Sequence, residues 1–130
     1  MKTAIVAISA ATLVGCATTT ATIYDPVEYG NFVQVWTAAE LIKTKCQYPA
    51  EVKLLALQLK AHSWYSWNYT IPGADSEVSA SAKLVFDNVK ELSDKYMNEL
   101  NTPGKNYCEL KTALIATQSR RIAETVKRKQ

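Results

Sequence analysis

Apolar positions recur at helical spacing in four segments of this chain, and no segment carries a convincing period-two alternation, so the pattern predicts an all-α protein. The first segment opens at Asp25-Pro26-Val27-Glu28. An acidic N-cap, a proline at the first helical position and a glutamate three residues after the cap favour a helix start there. Gly30-Asn31 is expected to postpone the regular part. Beyond it Phe32, Val35, Trp36, Ala39, Ile42 and Cys46 fall on one face, with Glu40, Lys43 and Lys45 off it. Tyr48-Pro49-Ala50-Glu51 restarts the chain. The second segment then carries Val52, Leu54, Leu55, Leu57, Leu59, Ala61 and Trp64, leaving mainly Lys53, Gln58 and Lys60 for water. So wide an apolar surface implies either deep burial or an exposed groove. The segment runs into the densest aromatic stretch, His62 to Tyr69, before Thr70-Ile71-Pro72-Gly73-Ala74 is expected to form a loop.

In the third segment, with Asp75 or Ser76 as cap, Val78, Ala82, Val85, Val89, Leu92 and Tyr96 alternate steps of four and three residues. That is a heptad seam of bundle length. Asn101-Thr102-Pro103-Gly104 stops it, and Asn106-Tyr107-Cys108-Glu109 has the form of a capping box for a fourth helix through Leu110, Leu114, Ile115, Ile122 and Val126. Short connections keep successive helices side by side, so an antiparallel up-down four-helix bundle is expected.

The N-terminus has a different pattern. Lys2 is followed by an apolar run of about ten residues, too short for the roughly twenty needed to span a bilayer, and then by Leu13-Val14-Gly15-Cys16. This ending resembles the lipobox of bacterial lipoproteins. The resemblance implies a signal peptide over 1–15, cleavage before Cys16 and a lipid chain on its thiol. Residues 16–24 are then the lipidated cysteine and a short threonine-rich tether, and residues 25–130 the bundle domain. Ala17 differs from the aspartate associated with inner-membrane retention, so the expected location is the periplasmic side of the outer membrane, with the membrane itself as partner through the lipid.

Composition adds bounds to this picture. About 115 residues remain after the signal, enough for one domain with its own core. A hydrophobic fraction of 48% and a charged fraction of 21% are those of a globular chain, and a net charge of +3 gives no case for a nucleic-acid partner. The cysteine count is three. Lipidation of Cys16 leaves Cys46 and Cys108, which in an oxidising compartment are expected to form a disulfide. In the expected bundle both thiols fall at the end far from the lipid.

Candidate chemistry is sparse. His62 is the lone histidine, and its neighbours Ser63 and Ser66 share its helix instead of converging on it from elsewhere in the fold. Asp87, Glu91, Asp94 and Glu99 read as the solvated face of the third helix. There is no glycine-rich phosphate loop, no Cys-x-x-Cys and no metal-ligand cluster, and Asn68-Tyr69-Thr70 matches a glycosylation sequon by coincidence. Neither catalytic residue, metal ligand nor cofactor is expected, and the chain is not expected to be an enzyme.

A small lipidated helical bundle with one disulfide is similar in outline to the pilotins of type II secretion systems. That resemblance implies a non-catalytic adaptor that holds an envelope protein's helix in a groove. It carries over no individual residue. The residues' own chemistry nominates Trp64, Tyr65, Trp67 and Tyr69 as partner- or membrane-binding, and the basic residues Arg120, Arg121, Lys127, Arg128 and Lys129 as a second membrane contact. The other reading, which the chemistry favours, is that Trp64 and Trp67 plug the base of the bundle and the basic tail is solvated. The alternative to an adaptor is a phage- or plasmid-encoded lipoprotein for superinfection exclusion, entry exclusion or lysis.

Overall fold

A computed structural model describes residues 24–70 and 76–129. The signal, Cys16, the tether, the loop at 71–74 and the candidate cap Asp75 lie outside the described residues. Within them the chain is a helical bundle of four helices, α1 (Pro26–Thr44), α2 (Pro49–Thr70), α3 (Ser76–Met97) and α4 (Lys105–Lys127), with no strand.

Helix α1 starts as its sequence directs. Asp25 is extended (φ −112°, ψ 107°), and its Oδ1 accepts from the backbone amides of Val27 at 2.9 Å and Glu28 at 3.2 Å. The expected delay at Gly30-Asn31 does not occur. The helix runs straight through both, and Asn31 is buried. A glycine costs a helix only about 1 kcal/mol, which a capped turn before it and a buried Phe32 after it offset. The capping box expected at Asn106 is also absent. Gly104 is the N-cap, extended and without a side-chain bond, which places Asn106 inside the first turn, and Glu109 pairs instead with Lys105 at 3.5 Å.

The buried positions fall into four seams of one kind. In α3 they are Val78, Ala82, Val85, Val89, Leu92 and Tyr96, as the pattern predicted, joined by Ser93. In α1 they are Phe32, Val35, Ala39 and Ile42, continued by Cys46; Trp36 lies at the margin. The other two seams depart from expectation. Helix α2 buries Val52, Ala56, Leu59, Ser63, Ser66 and Thr70, while Leu54, Leu57 and Trp64 stay exposed. Helix α4 buries Cys108, Thr112, Ile115, Ser119, Ile122 and Val126, with Ala116 and Ala123 beside them, while Leu110 and Leu114 are exposed. Each seam steps by three and four residues, so the heptad rule holds in all four helices.

Five of the small polar members survive burial because their hydroxyls have local acceptors, whereas Ser93 Oγ has none. Ser63 donates to the Lys60 carbonyl, Ser66 to His62, Thr70 to Trp67, Thr112 to Cys108 and Ser119 to Ile115, at 2.6 to 3.1 Å. A buried hydroxyl without a partner would cost about 1–3 kcal/mol; bonded back to its own helix, it behaves as a small spacer.

Helix α1 packs on α4 and α2, and α3 packs on α2 and α4. The cross-contacts fix direction and register. Cys46 after α1 bridges to Cys108 in the first turn of α4, with Cα atoms 5.6 Å apart. Tyr69 near the end of α2 bonds Asp25 at the start of α1, and Lys53 early in α2 bonds Glu99 just beyond α3. Lys111 in α4 bonds Glu91 in α3, and Asn88 bonds Gln118. Neighbouring helices therefore run in opposite directions. The buried seams interleave small residues, Ala39, Ala56, Ser63, Ala82 and Ser119, with large ones, Phe32, Ile42, Leu92 and Ile122. Such alternation lets four helices approach closely at native density.

Candidate functional site

Because the seam of α2 runs through Ala56, Ser63, Ser66 and Thr70, its large residues are turned outward. Between Val52 and Thr70 the Lys, Arg, Asp and Glu positions are Lys53 and Lys60 alone, and both reach toward the α3 side. Lys53 pairs with Glu99 at 2.8 Å and Lys60 with Asp94 at 3.6 Å. The outward arc is left with Leu54, Leu57, Gln58, Ala61, Trp64 and Tyr65, a nearly full-length uncharged face. Leu54, Trp64 and Tyr65 are each exposed by half or slightly more of their surface.

Along its α1 side this face dips into a groove of about 240 Å³. Gln34, Ala38, Leu41 and Ile42 form one wall, and Leu55, Gln58, Leu59 and His62 the other. Leu41 is half exposed on its rim. His62 is partly buried here, with Nε2 shielded and lacking a hydrogen-bond partner. Ser63 and Ser66 direct their hydroxyls to backbone carbonyls, so neither is aligned with the imidazole. Asn68 of the sequon donates to the Trp64 carbonyl within the helix.

The four aromatic candidates separate into two kinds. Trp64 and Tyr65 are exposed. Trp67 is packed: its ring stacks on Phe86 of α3, centroids 5.6 Å apart and planes 22° apart, with the Lys83 ammonium 5.7 Å from the ring centroid. Tyr69 is half buried, and its hydroxyl donates to Asp25 Oδ2 at 2.8 Å, while its ring lies 6.2 Å from that of Tyr65. Burial works against the Asp25 carboxylate, but the bonds from Tyr69 and from the amides of Glu28 and Val27 outweigh it and hold its pKa below the usual value. The same bond to Asp25 raises the Tyr69 pKa.

Helices α3 and α4 carry most of the charge, interspersed with exposed Leu84, Leu110 and Leu114. On α3, Lys83 pairs with Asp87, Lys90 with Asp94, and Lys95 and Lys111 with Glu91. The hydrogen bonds from Lys111, Lys90 and Lys53 lower the pKa values of Glu91, Asp94 and Glu99 respectively. The carboxylates expected on a solvated face are thus there, organised into ion pairs. On α4, Arg120 pairs with Glu124 at 3.8 Å and lies 5.8 Å from the Trp36 ring centroid, with Trp36 Nε1 bonded to Glu40.

Cys46 and Cys108 are buried and joined, as the cysteine parity predicted. Cys16 lies outside the described residues. Among the described residues no group of three or more His, Cys, Asp and Glu side chains is placed to hold a metal ion, and no helix is long and apolar enough to cross a membrane. No protein-family model, curated protein or solved structure matches the chain.

The groove was half legible in the sequence, which predicted an α2 too apolar for one buried stripe. Its α1 wall was missed. Leu41 sits between the predicted face positions of α1, and only the packing of α2 beside it makes a groove of the two.

Proposed function

We propose that the chain is an outer-membrane-anchored lipoprotein whose bundle serves in the periplasm as a non-catalytic adaptor, in the manner of a pilotin. The anchor is Cys16 in its lipobox, and the tether hangs an up-down bundle from it at the Asp25 end. The observation that carries the adaptor reading is the uncharged outer face of α2 with its groove against α1. An amphipathic helix from an envelope protein fits such a surface by laying its apolar residues between Leu41 and Leu55 and onto Leu54 beside the groove, with Gln34 and Gln58 as polar rim. A face with no ion pairs gives up little hydration when covered, whereas the α3 face would lose its paired charges to desolvation.

Each half has its own test. Replacing Cys16 with Ser is expected to release the chain from the outer-membrane fraction and remove the acyl mass; unchanged attachment sinks the anchor. Leu41→Glu and Leu54→Glu are expected to abolish co-purification of one envelope protein with the acylated chain while leaving the helical circular dichroism intact. Co-purification that survives both substitutions rules out the groove.

A further inference from the structure

The end of α2 nearest the tether is built differently from the groove further along. Tyr69 bonds Asp25, the first residue of the folded domain's cap, and its ring lies close to that of Tyr65, with Trp64 next in the chain. Val27, half exposed, sits two turns before Gln34 on α1. The point where the chain enters the fold is therefore held by Tyr69, with Tyr65 against it, and the exposed Trp64 lies within two turns further back on α2. Leu55 of the groove lies ten residues back from Tyr65, about 15 Å along the helix at about 1.5 Å per residue.

The geometry points to this aromatic end as a docking surface for the phospholipid bilayer that holds the anchor. This rests on the lipidation of Cys16 proposed above. The occupant follows from the length of chain and where it ends. Cys16 to Tyr24 is eight residue steps, at most about 26 Å at about 3.3 Å each, and it delivers the domain to the membrane at Asp25. What bonds Asp25 is Tyr69, with Tyr65 against it and the exposed Trp64 within two turns on the same helix. Trp and Tyr are the side chains that settle at the boundary between acyl chains and water. Trp64 and Tyr65 stand outside the core, and α2 carries no Lys, Arg, Asp or Glu between Lys60 and Thr70. The carboxylates at this end are those of α1, Asp25, which is bonded by Tyr69, and Glu28. A patch this small binds a bilayer weakly from solution. Tethering converts that contact into an intramolecular one at an effective concentration in the millimolar range, where weak docking is populated. The bundle then lies with the α2 terminus on the lipid, and the groove at Leu41 and Leu55 opens into the periplasm, free for a protein partner.

The test uses the full acylated protein reconstituted into vesicles of phosphatidylethanolamine and phosphatidylglycerol, with and without brominated acyl chains. Mass of the mature N-terminus reads the anchor independently. A chain found without acyl groups overturns the lipidation reading alone, and is then coupled through the Cys16 thiol to a maleimide phospholipid for the same measurement. Brominated lipid is expected to quench tryptophan emission, and Trp64→Phe to remove the quenchable part. Trp67→Phe, whose ring is stacked on Phe86, and Trp36→Phe are expected to leave it. Quenching that persists in Trp64→Phe overturns the proposal. So does an unquenched Trp64, whether it is shielded by a second copy, seen as a dimer in sedimentation, or by a partner protein.

Discussion

The Tyr69 hydroxyl donates to Asp25 Oδ2 at 2.8 Å, tying the last turn of α2 to the cap of α1. Asp25 therefore serves two helices: one oxygen caps α1 and the other receives α2. Its folded pKa is depressed, as are those of Glu91, Asp94 and Glu99. Depressed carboxylates contribute stability above their unfolded pKa values, which lie near 3.8 for Asp and 4.5 for Glu, and lose it as pH falls through the folded values. Stability is expected to be level near neutrality and to fall below about pH 4.5. Tyr69→Phe removes one of the bonds that depress Asp25, so the midpoint of the Asp25 carboxyl resonance should rise toward the ordinary value in an NMR titration.

The disulfide closes a separation of 62 residues between two buried cysteines. In the chain-entropy model such a link stabilises by about 4 kcal/mol. Urea unfolding of the Cys46→Ala, Cys108→Ala protein is expected to show a midpoint lowered by a corresponding amount, with helical content in water retained. The thiols of the reduced chain should react with a labelling reagent only under conditions that also open the bundle.

Gly30 lies in the middle of the second turn of α1 with no positive φ, and a methyl added there meets nothing within 4 Å. Its backbone freedom is thus unused by the fold. Gly30→Ala is expected to stabilise the protein by about 0.5–1 kcal/mol, read as a higher denaturant midpoint at unchanged slope.

Ser119 is fully buried in the α4 seam between Ile115 and Ile122, its hydroxyl bonded to the Ile115 carbonyl at 2.7 Å. Ser119→Ala deletes a donor whose acceptor keeps its helical bond, and should change stability by less than about 1 kcal/mol. Ser119→Leu forces a large side chain into a position sized for a small one and is expected to cost about 1–3 kcal/mol. Thermal unfolding of the pair separates a spacer role from a hydrogen-bonding one.

How much of this was legible in the sequence depended on what fills each seam. Val78 through Tyr96 is Val, Ala, Leu and Tyr at heptad spacing, and these six positions are the buried seam the pattern predicted, although Ser93 joins it, Ser76 is helical instead of a cap, and the helix ends at Met97 before the expected stop. The α2 seam follows the same spacing, but Ser63, Ser66 and Thr70 occupy it while Leu54 and Leu57 lie off it, so hydrophobicity marked a wide surface that included Val52 and Leu59 without separating the buried seam from the exposed side. Helix α4 repeats the problem with Thr112 and Ser119 against Leu110 and Leu114. Small hydroxyl residues pass as core only when a tightly packed neighbour and a local carbonyl are both known, and neither is visible in one segment. The same shift of register decided the aromatic cluster. Trp64 and Trp67 are three residues apart and chemically alike, yet one faces solvent and the other stacks on Phe86. Cysteine parity needed no register, and the link between Cys46 and Cys108 was predicted outright.

The adaptor role is tested most directly by placing a photo-reactive phenylalanine analogue at single positions of the full chain in living cells. Leu41 and Gln58, on the two walls of the groove, are expected to give one discrete adduct with an envelope protein, and its cross-linked peptide should be an amphipathic helical segment. Lys90, on the ion-paired face of α3, should give none. Equal adducts at all three positions, or none at Leu41 and Gln58 in cells where the chain is anchored, would contradict the account.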